Sequence, residues 1–178
     1  RAGTGKTLLA LAAGLQQILG DQSTYRRMLV SRPVFPMGKE LGFLPGSLAE
    51  KLGPWMAPVN DNLEQIFDSM NGLVRKGGRL SSEKLKQLGL LEVEPLSYIR
   101  GRSMPRQFFI VDEAQNLTPH EVKTIISRAG NGTKVILTGD PEQIDNPYVD
   151  SLSNGLSYVI DRFRDSDVAA HANLTKGE

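Results

Sequence analysis

The sequence predicts an α/β protein in which helices flank a mainly parallel central sheet, and three segments carry this prediction. Residues 108–111 are four consecutive apolar, β-prone residues, which is typical of a strand buried on both faces. Residues 134–138 form a second such run, and residues 3–7 form a glycine-rich loop that leads into a helix-forming stretch. With 178 residues and 39% hydrophobic content, we expect a single domain over residues 1–178.

Composition excludes several classes of protein. The 21 Lys and Arg and 20 Asp and Glu leave a net charge of +1, so any nucleic-acid binding must come from local patches. Cysteine is absent, and the two histidines lie far apart, so disulfides and thiolate or histidine metal sites are excluded. No apolar run is long enough to cross a membrane and no signal peptide is visible, so we expect a cytoplasmic protein.

The first seven residues match the latter part of the phosphate-binding motif G-x-x-x-x-G-K-[ST]. The motif's first glycine and the strand before it would precede Arg1, so we expect the chain to be a fragment. Glycines let backbone N–H groups surround phosphates, Lys6 would reach phosphate oxygens, and the Thr7 hydroxyl would ligate Mg²⁺. The alternative is a flexible glycine turn before a helix. The candidate nucleotide-binding residues here are Gly3, Thr4, Gly5, Lys6 and Thr7.

The first helix should end near residue 19, before Gly20, and residues 28–31 should form a short buried strand. Together with the preceding strand these elements would form a right-handed β-α-β unit. Arg32 follows at the carboxyl end of the strand. It could contact phosphate or nucleic acid, or it could be an ordinary surface arginine.

Residues 33–96 are predicted to form an insertion of loops and short helices between core strands. Ser47 with Glu50 forms a capping box for one helix. An apolar stripe at helical spacing is typical of core or of a subunit interface, although its tryptophan could instead stack on a base. The members of this stripe are Trp55, Val59, Leu63, Ile66 and Phe67.

The second half of this region contains a basic loop, a short helix and one strand. Arg75, Lys76 and Arg79 are expected to be solvated surface, with nucleic-acid contact as the alternative. Ser81 should cap a helix that ends before Gly89. A strand is predicted near residues 96–99, followed by the densest basic cluster of the chain, which contains Arg100, Arg102 and Arg106.

Two carboxylates follow the central apolar strand. Because ligands of open α/β sheets bind beyond the carboxyl ends of the strands, Asp112 and Glu113 would stand where P-loop ATPases handle Mg²⁺ and the attacking water. The alternative is that two acids simply begin a loop.

The remaining elements have clear boundaries. Thr118, followed by Pro119 and with Glu121 three residues after it, predicts a helix with a capping box that ends near Gly130. The buried strand 134–138 leads into residues 139–143, where Gln143 would lie beside the phosphates, unless this segment is an ordinary acidic turn. A helix over 156–163 and a final strand over 168–174 complete the prediction.

These motifs together resemble the ATPase core of helicase superfamily one and, more narrowly, the PhoH family of P-loop ATPases. The family resemblance rests on residues 31–33, 41–46, 98–102 and 111–116 and covers essentially the whole chain. Residues 34–38 and 54–56 resemble the branch in which a PIN ribonuclease domain precedes the ATPase. A PIN domain is therefore expected before this segment in the full-length protein.

The resemblance implies a role for each matching residue. The loop residues would bind ATP, Asp112 would act on the Mg²⁺ side, Glu113 would be the base for water, and Gln143 would sense the γ-phosphate. Lys6, Glu113 and Gln143 are then the catalytic set. The implied sheet order places the strand that ends at Thr138 between the acidic strand and the strand before the phosphate loop.

The family also implies a homo-oligomeric ring, in which an arginine could act on a neighbour's phosphates; the candidates are Arg100, Arg102 and Arg128. Two departures from the family pattern, the missing first glycine and an arginine expected after Glu178, lead us to expect weak or no turnover by the fragment alone.

Three functions remain open at this point. The first is an ATPase that couples hydrolysis to movement on, or unwinding of, single-stranded RNA. The second is a nucleotide-gated protein-remodelling or regulatory ATPase that does not touch nucleic acid. The third is a small-molecule kinase, which is disfavoured because Glu113 supplies a base suited to water.

Overall fold

A computed structural model describes residues 3–20, 23–34, 48–73, 79–99 and 101–177. Within these ranges four strands form one sheet in the order β2-β1-β3-β4, and every neighbouring pair is parallel. The strands are β1 (Arg27–Arg32), β2 (Leu91–Pro95), β3 (Gln107–Val111) and β4 (Lys134–Leu137). Their carboxyl ends therefore meet at one edge of the sheet, and the predicted α/β class is confirmed.

Helices cover the sheet on both sides. They are α1 (Lys6–Leu19), α2 (Leu48–Leu73), α3 (Ser82–Gln87), α4 (Pro119–Ser127) and α5 (Gly155–Arg162), with 3₁₀ turns at Leu96–Tyr98 and Ala114–Asn116. The predicted caps are confirmed: Thr118 forms a reciprocal capping box with Glu121, and the Ser81 side chain accepts from the Lys84 backbone N–H. Asn154 caps α5 in the same way.

The central strands are buried on both faces, which explains their unbroken apolar sequences. One face carries Met28, Val30, Phe108 and Ile110, which pack with α1, α2 and α3. The opposite face carries Leu29, Phe109 and Val111, which pack with α4 and α5. Because successive residues of a strand point to opposite faces, the two layers of core require apolar side chains at every position.

One long helix replaces the short helices predicted between the core strands. Helix α2 has 26 residues and contains Pro54 and Pro58. Its buried residues are Met56, Val59, Leu63 and Phe67, whereas Trp55 is half-buried. Burial of each such side chain contributes about 1.5–3 kcal/mol. Together these four offset the roughly 3 kcal/mol that each helix-interior proline costs. The predicted capping residue Ser47 lies outside the described residues.

The strand predicted at residues 96–99 is wrong, because the observed strand β2 ends before this segment and residues 96–98 form a 3₁₀ turn. Pro95 has no N–H to donate and ends the ladder. Leu96 and Ile99 are buried in the core, which explains why their pattern resembled a strand. Strand β2 is thus an edge strand within the region predicted as an insertion.

Two further expectations need correction. Residues 168–174 form no strand, and Val168 is 87% exposed, because this segment buries no apolar face. Strand β4 is only half-buried rather than fully buried, since within the described ranges it has a strand neighbour, β3, on one side. The pairing of β4 with β3 agrees with the expected sheet order. In the described part of the chain, no helix is both long enough and apolar enough to cross a membrane.

Gly14 lets α1 lie close to the sheet, and we expect Gly14→Ala to destabilise the protein. An added Cβ would overlap the Met28 Sδ atom and lie 3.0 Å from the Phe108 ring. Both neighbours are buried and cannot yield freely. The free energy of unfolding should fall by about 1–3 kcal/mol in chemical denaturation, despite the better helix propensity of alanine.

Gly72→Ala is the matched control, because Gly72 is also helical but has no atom within 4 Å of the added Cβ. This variant should be unchanged or more stable by up to about 1 kcal/mol. Equal stability of the two variants would contradict the close packing of α1 on β1 and β3.

Candidate nucleotide-binding site

The glycine-rich loop has two glycines in a backbone conformation that other residues rarely adopt. Gly3 and Gly5 have φ values of 65° and 70°, in the left-handed region that favours glycine. No atom lies within 4 Å of a Cβ added at either position, so the requirement is conformational rather than steric. Helix α1 begins directly at Lys6, which is half-buried. The loop therefore ends at a helix N-terminus, which suits a bound phosphate.

The Thr7 hydroxyl donates a hydrogen bond of 2.7 Å to Asp112 Oδ1 and so joins the loop to the end of β3. Thr138, at the end of β4, donates to the same oxygen at 2.7 Å. The Asp112 backbone N–H donates to the Ser31 carbonyl at 2.8 Å, which continues the sheet ladder past β3. Asp112 is 4% exposed. Three strand ends thus hold one carboxylate against the predicted phosphate loop.

The Thr7 and Asp112 pair fits the ligand chemistry of Mg²⁺. A hydroxyl oxygen and a carboxylate oxygen are hard ligands, and Mg²⁺ is usually bound by one or two carboxylates together with substrate phosphates and water. No group of three or more His, Cys, Asp or Glu residues able to hold a metal occurs in the described ranges. The arrangement therefore suits an ion that would arrive with a nucleotide rather than a site built by protein alone.

Glu113 has a left-handed backbone, with φ 55° and ψ 40°, which is uncommon for a residue other than glycine. The Glu113 side chain has different partners from that of Asp112. Glu113 Oε1 lies 3.5 Å from Arg32 Nη2, and Glu113 Oε2 accepts a hydrogen bond of 2.6 Å from Gln115 Nε2. The Glu113 side chain is 30% exposed, so water can reach a carboxylate that is held on both oxygens.

The segment after β4 lies at the same edge of the sheet. The Gln143 backbone N–H donates to the Asp140 carbonyl at 2.9 Å, and the Gln143 carbonyl accepts from Gln115 Nε2 at 2.7 Å. The Gln143 side chain is exposed. The structure thus brings the predicted sensor segment to the site, and the role of the Gln143 side chain stays a prediction.

Sequence reasoning assigned no role to Gln115 and Asn116, which anchor this segment. Gln115 is fully buried, and Asn116 Oδ1 accepts from the backbone N–H groups of Asp145 and Asn146 at 2.7 and 3.1 Å. Asn146 Nδ2 donates back to the Asn116 carbonyl at 2.8 Å. The only sequence signal was the position of these amides directly after the paired acids, because spacing does not reveal which polar residues become buried.

The predicted arginine candidates lie in different places. Arg32 lies at the site, beside Glu113. Arg128 is exposed and follows α4 at the opposite end of the sheet, where its carbonyl accepts from the Met104 N–H before β3 begins. Arg100 lies outside the described residues.

Arg102 is held by carboxylates on β2 rather than at the site. Its guanidinium lies 2.6 Å from Glu92 and 3.1 Å from Glu94, and Arg27 contacts Glu92 at 2.7 Å. The hydrogen bond to Glu92 raises the pKa of Arg102. Burial raises the pKa of Glu94, and the charge of Glu92 adds to this effect. Burial acts to raise the pKa of Glu92, but the hydrogen bond from Arg102 and the charges of Arg27 and Arg102 outweigh burial, so that the pKa is lowered.

A groove of about 480 Å³ lies between α4 and α5, away from Asp112. Tyr158 lines it, with Lys123 Nζ 5.0 Å and Arg162 Cζ 5.5 Å from the ring centroid. The hydrogen bond from Lys123 lowers the pKa of Tyr158. The groove shares no lining residue with the site.

We expect Thr138→Val to destabilise the protein, because it removes one of the two hydroxyl donors to Asp112 Oδ1. Hydrogen bonds to charged groups contribute about 1.5–3 kcal/mol, and the free energy of unfolding should fall by an amount in this range. Thr124→Val is the control, since the Thr124 hydroxyl donates to a backbone carbonyl on the exposed side of α4. Chemical denaturation measures the free energy of unfolding of both variants. Equal losses of this free energy would contradict a larger contribution from the hydrogen bond of Thr138 to Asp112.

Comparison with known proteins shows which protein family the chain matches. A family model described as PhoH-like protein matches residues 1–178. The chain is 54% identical over 178 residues to Protein PhoH2 of Bacillus subtilis, covering 100% of this chain and 39% of that protein. It is 41% identical over 179 residues to Protein PhoH2 of Mycolicibacterium smegmatis, covering 100% and 38%.

A PhoH-like protein of Mycobacterium tuberculosis is 40% identical over 174 residues, which cover 98% of this chain and 46% of that protein. The chain therefore spans less than half the length of each of these relatives.

Proposed function

The chain belongs to the PhoH-like protein family, and on this premise we propose that it binds ATP with Mg²⁺ and hydrolyses it. The observation that carries the proposal is the hydrogen bond between Thr7 and Asp112, with Glu113 beside it. This bond joins a phosphate-type loop to an acidic strand end, which is the arrangement that phosphoryl transfer by P-loop ATPases requires.

Each residue of the site would have one role. The backbone of Gly3, Thr4 and Gly5 and the Lys6 ammonium would bind the phosphates. Thr7 and Asp112 would hold Mg²⁺, which when bound would neutralise charge on the phosphate oxygens. Glu113 would accept the proton of the attacking water, and Gln143 would contact the γ-phosphate.

The geometry favours water over another acceptor as the nucleophile. The Glu113 carboxylate is partly exposed and held on both oxygens, so it is oriented at a place that water reaches. Among the described residues, the groove between α4 and α5 shares no lining residue with the site. Hydrolysis is therefore the better proposal than transfer to a small molecule.

We further propose that ATP hydrolysis is coupled to single-stranded RNA, and the resemblance to helicase cores supports this. A protein-remodelling or regulatory ATPase remains the second candidate, favoured by the near-neutral net charge of +1. We also propose a homo-oligomeric ring and a preceding PIN domain in the complete protein. The ring is supported by exposed Tyr148 and Leu152, at 87% and 89%, in the segment that follows the sensor residues.

Glu113→Gln in the complete protein should lower the ATP turnover rate by about 10²–10⁴-fold, because the amide cannot accept the proton of water. Nucleotide binding should be retained, since the amide keeps the shape of the side chain. Glu142→Gln is the control, because Glu142 is an exposed acid of the neighbouring turn and should leave turnover within about twofold of wild type. Retained turnover in Glu113→Gln would remove Glu113 as the base.

The same hydrolysis assay with single-stranded RNA and single-stranded DNA separates the two candidate functions. Turnover stimulated by RNA and lost in Glu113→Gln would support a motor acting on RNA. Turnover that neither nucleic acid changes would favour the remodelling or regulatory ATPase.

Arg32→Gln should weaken RNA binding, because Arg32 is the arginine candidate at the site edge and its 3.5 Å contact with Glu113 is loose enough for a phosphate to replace. Loss of one phosphate contact should reduce the salt dependence of RNA affinity by about one unit of log–log slope. Fluorescence anisotropy at several salt concentrations measures this slope.

Arg164→Gln is the matched control for Arg32→Gln. Arg164 also makes a 3.5 Å contact with a carboxylate, that of Asp161, but it lies beyond the end of α5 and is exposed. Its removal should leave the slope unchanged. An unchanged slope in Arg32→Gln as well would exclude Arg32 from RNA contact.

A further inference from the structure

The buried amide of Gln115 joins the two parts of the site that must act together. We propose that Gln115 is a positioning residue for hydrolysis, which links the segment 139–143 to the carboxylate of Glu113. This inference rests on the proposed ATPase function. The sequence pattern assigns no role to Gln115. In the structure its side chain makes three hydrogen bonds, and these suggested the role.

Every hydrogen-bonding group of the Gln115 side chain is used. Its Nε2 donates to Glu113 Oε2 at 2.6 Å and to the Gln143 carbonyl at 2.7 Å, and its Oε1 accepts from the Asp140 N–H at 3.1 Å. The side chain is fully buried. The same nitrogen therefore touches both the proposed base and the main chain of the proposed sensor residue.

The chemistry of these partners determines the orientation of the amide. If the amide were turned over, Oε1 would face two oxygens, those of Glu113 and of the Gln143 carbonyl, and Nε2 would face the Asp140 N–H. Such an arrangement would leave buried groups without partners, which costs about 1–3 kcal/mol for each group. The bond to Glu113 is also charge-assisted, so it is stronger than an ordinary amide bond.

Gly139 allows this close approach. A Cβ at position 139 would overlap Gln115 Oε1 and lie 3.2 Å from the Gln115 backbone nitrogen. The Ala114 backbone N–H donates to the Thr138 carbonyl at 2.8 Å. The residues that follow β3 and β4 are therefore also joined directly through their backbones. A shift of segment 139–143 must therefore move the Gln115 amide or break its bonds.

The consequence is mechanical coupling between the γ-phosphate and the base. When the Gln143 side chain engages a phosphate, any movement of its main chain acts on the nitrogen that holds Glu113 Oε2. Arg32 holds the other oxygen, so the two contacts together set the orientation of the carboxylate. Gln115 itself is buried below the site and would act on the rate rather than on nucleotide affinity.

The test replaces Gln115 in the complete protein with Met, which keeps its length, and with Glu, which keeps its shape but cannot donate as a carboxylate. We expect kcat for ATP to fall by about 10–100-fold, because small misplacements of catalytic groups cost this much. The dissociation constant for a non-hydrolysable ATP analogue should change by less than about threefold, since the amide does not reach the ligand. Gln87→Met is the control, because Gln87 is exposed on α3.

Gly139→Ala provides a second test, because the added Cβ would overlap the Gln115 amide oxygen without removing the amide, although it would also lie 3.0 Å from the Leu156 side chain. It should produce the same loss of kcat with retained analogue binding. Unchanged kcat in the Gln115 variants would overturn the proposal, and so would parallel loss of kcat and affinity. Unfolding of all three variants in thermal denaturation would assign Gln115 a structural role and would also overturn it.

Failure of this inference is distinguishable from failure of the proposed function. If wild type hydrolyses ATP and Glu113→Gln does not, while Gln115→Met turns over normally, the ATPase assignment stands and only the positioning role is lost. If wild type does not hydrolyse ATP, the proposed function fails and the positioning role fails with it.

Discussion

The parallel register of β1, β3 and β4 is the constraint on which the site depends. Because all three strands end at one edge, the Asp112 backbone N–H donates to the Ser31 carbonyl and the Thr138 hydroxyl donates to the Asp112 carboxylate. The packing of α1 on the sheet then brings Thr7, 105 residues away in sequence, to the same carboxylate oxygen. The close approach at Gly14 is therefore a requirement of the site as well as of the core, since it sets the distance between α1 and β3.

The left-handed backbone of Glu113 gives two adjacent carboxylates two different environments. Such a conformation costs on the order of 1–3 kcal/mol and persists only where its surroundings determine it. Here the surroundings are the bond from Gln115 and the contact with Arg32. Asp112 is buried and accepts from the Thr7 hydroxyl of the helix that follows the loop, whereas the Glu113 side chain is 30% exposed and can be reached by water.

Features that depend on neighbours in sequence were predictable, whereas features that depend on distant contacts were not. The capping box at Thr118 and the cap at Ser81 follow from local chemistry and are confirmed. The strand expected at 96–99 was wrong because burial of Leu96 and Ile99 comes from tertiary packing rather than from pairing. The position of Gln115 after the paired acids did not reveal its role, because its side chain bonds to a segment 25 residues away.

The arginines show why a dense basic cluster in the sequence is a poor guide to which arginine binds a partner. Arg102 belongs to the densest basic cluster of the sequence, yet Glu92 and Glu94 hold it. Removing it would leave Glu94 without this partner, although Arg27 would still contact Glu92. Burial already raises the pKa of Glu94, and the charge of Glu92 adds to this effect. Arg32 makes a longer contact with a carboxylate that is partly exposed. At Arg32 a polyanion would have to compete with one carboxylate, whereas at Arg102 it would have to compete with two. Of these two candidates, the one that lies in the densest basic cluster is thus the one that the structure favours less.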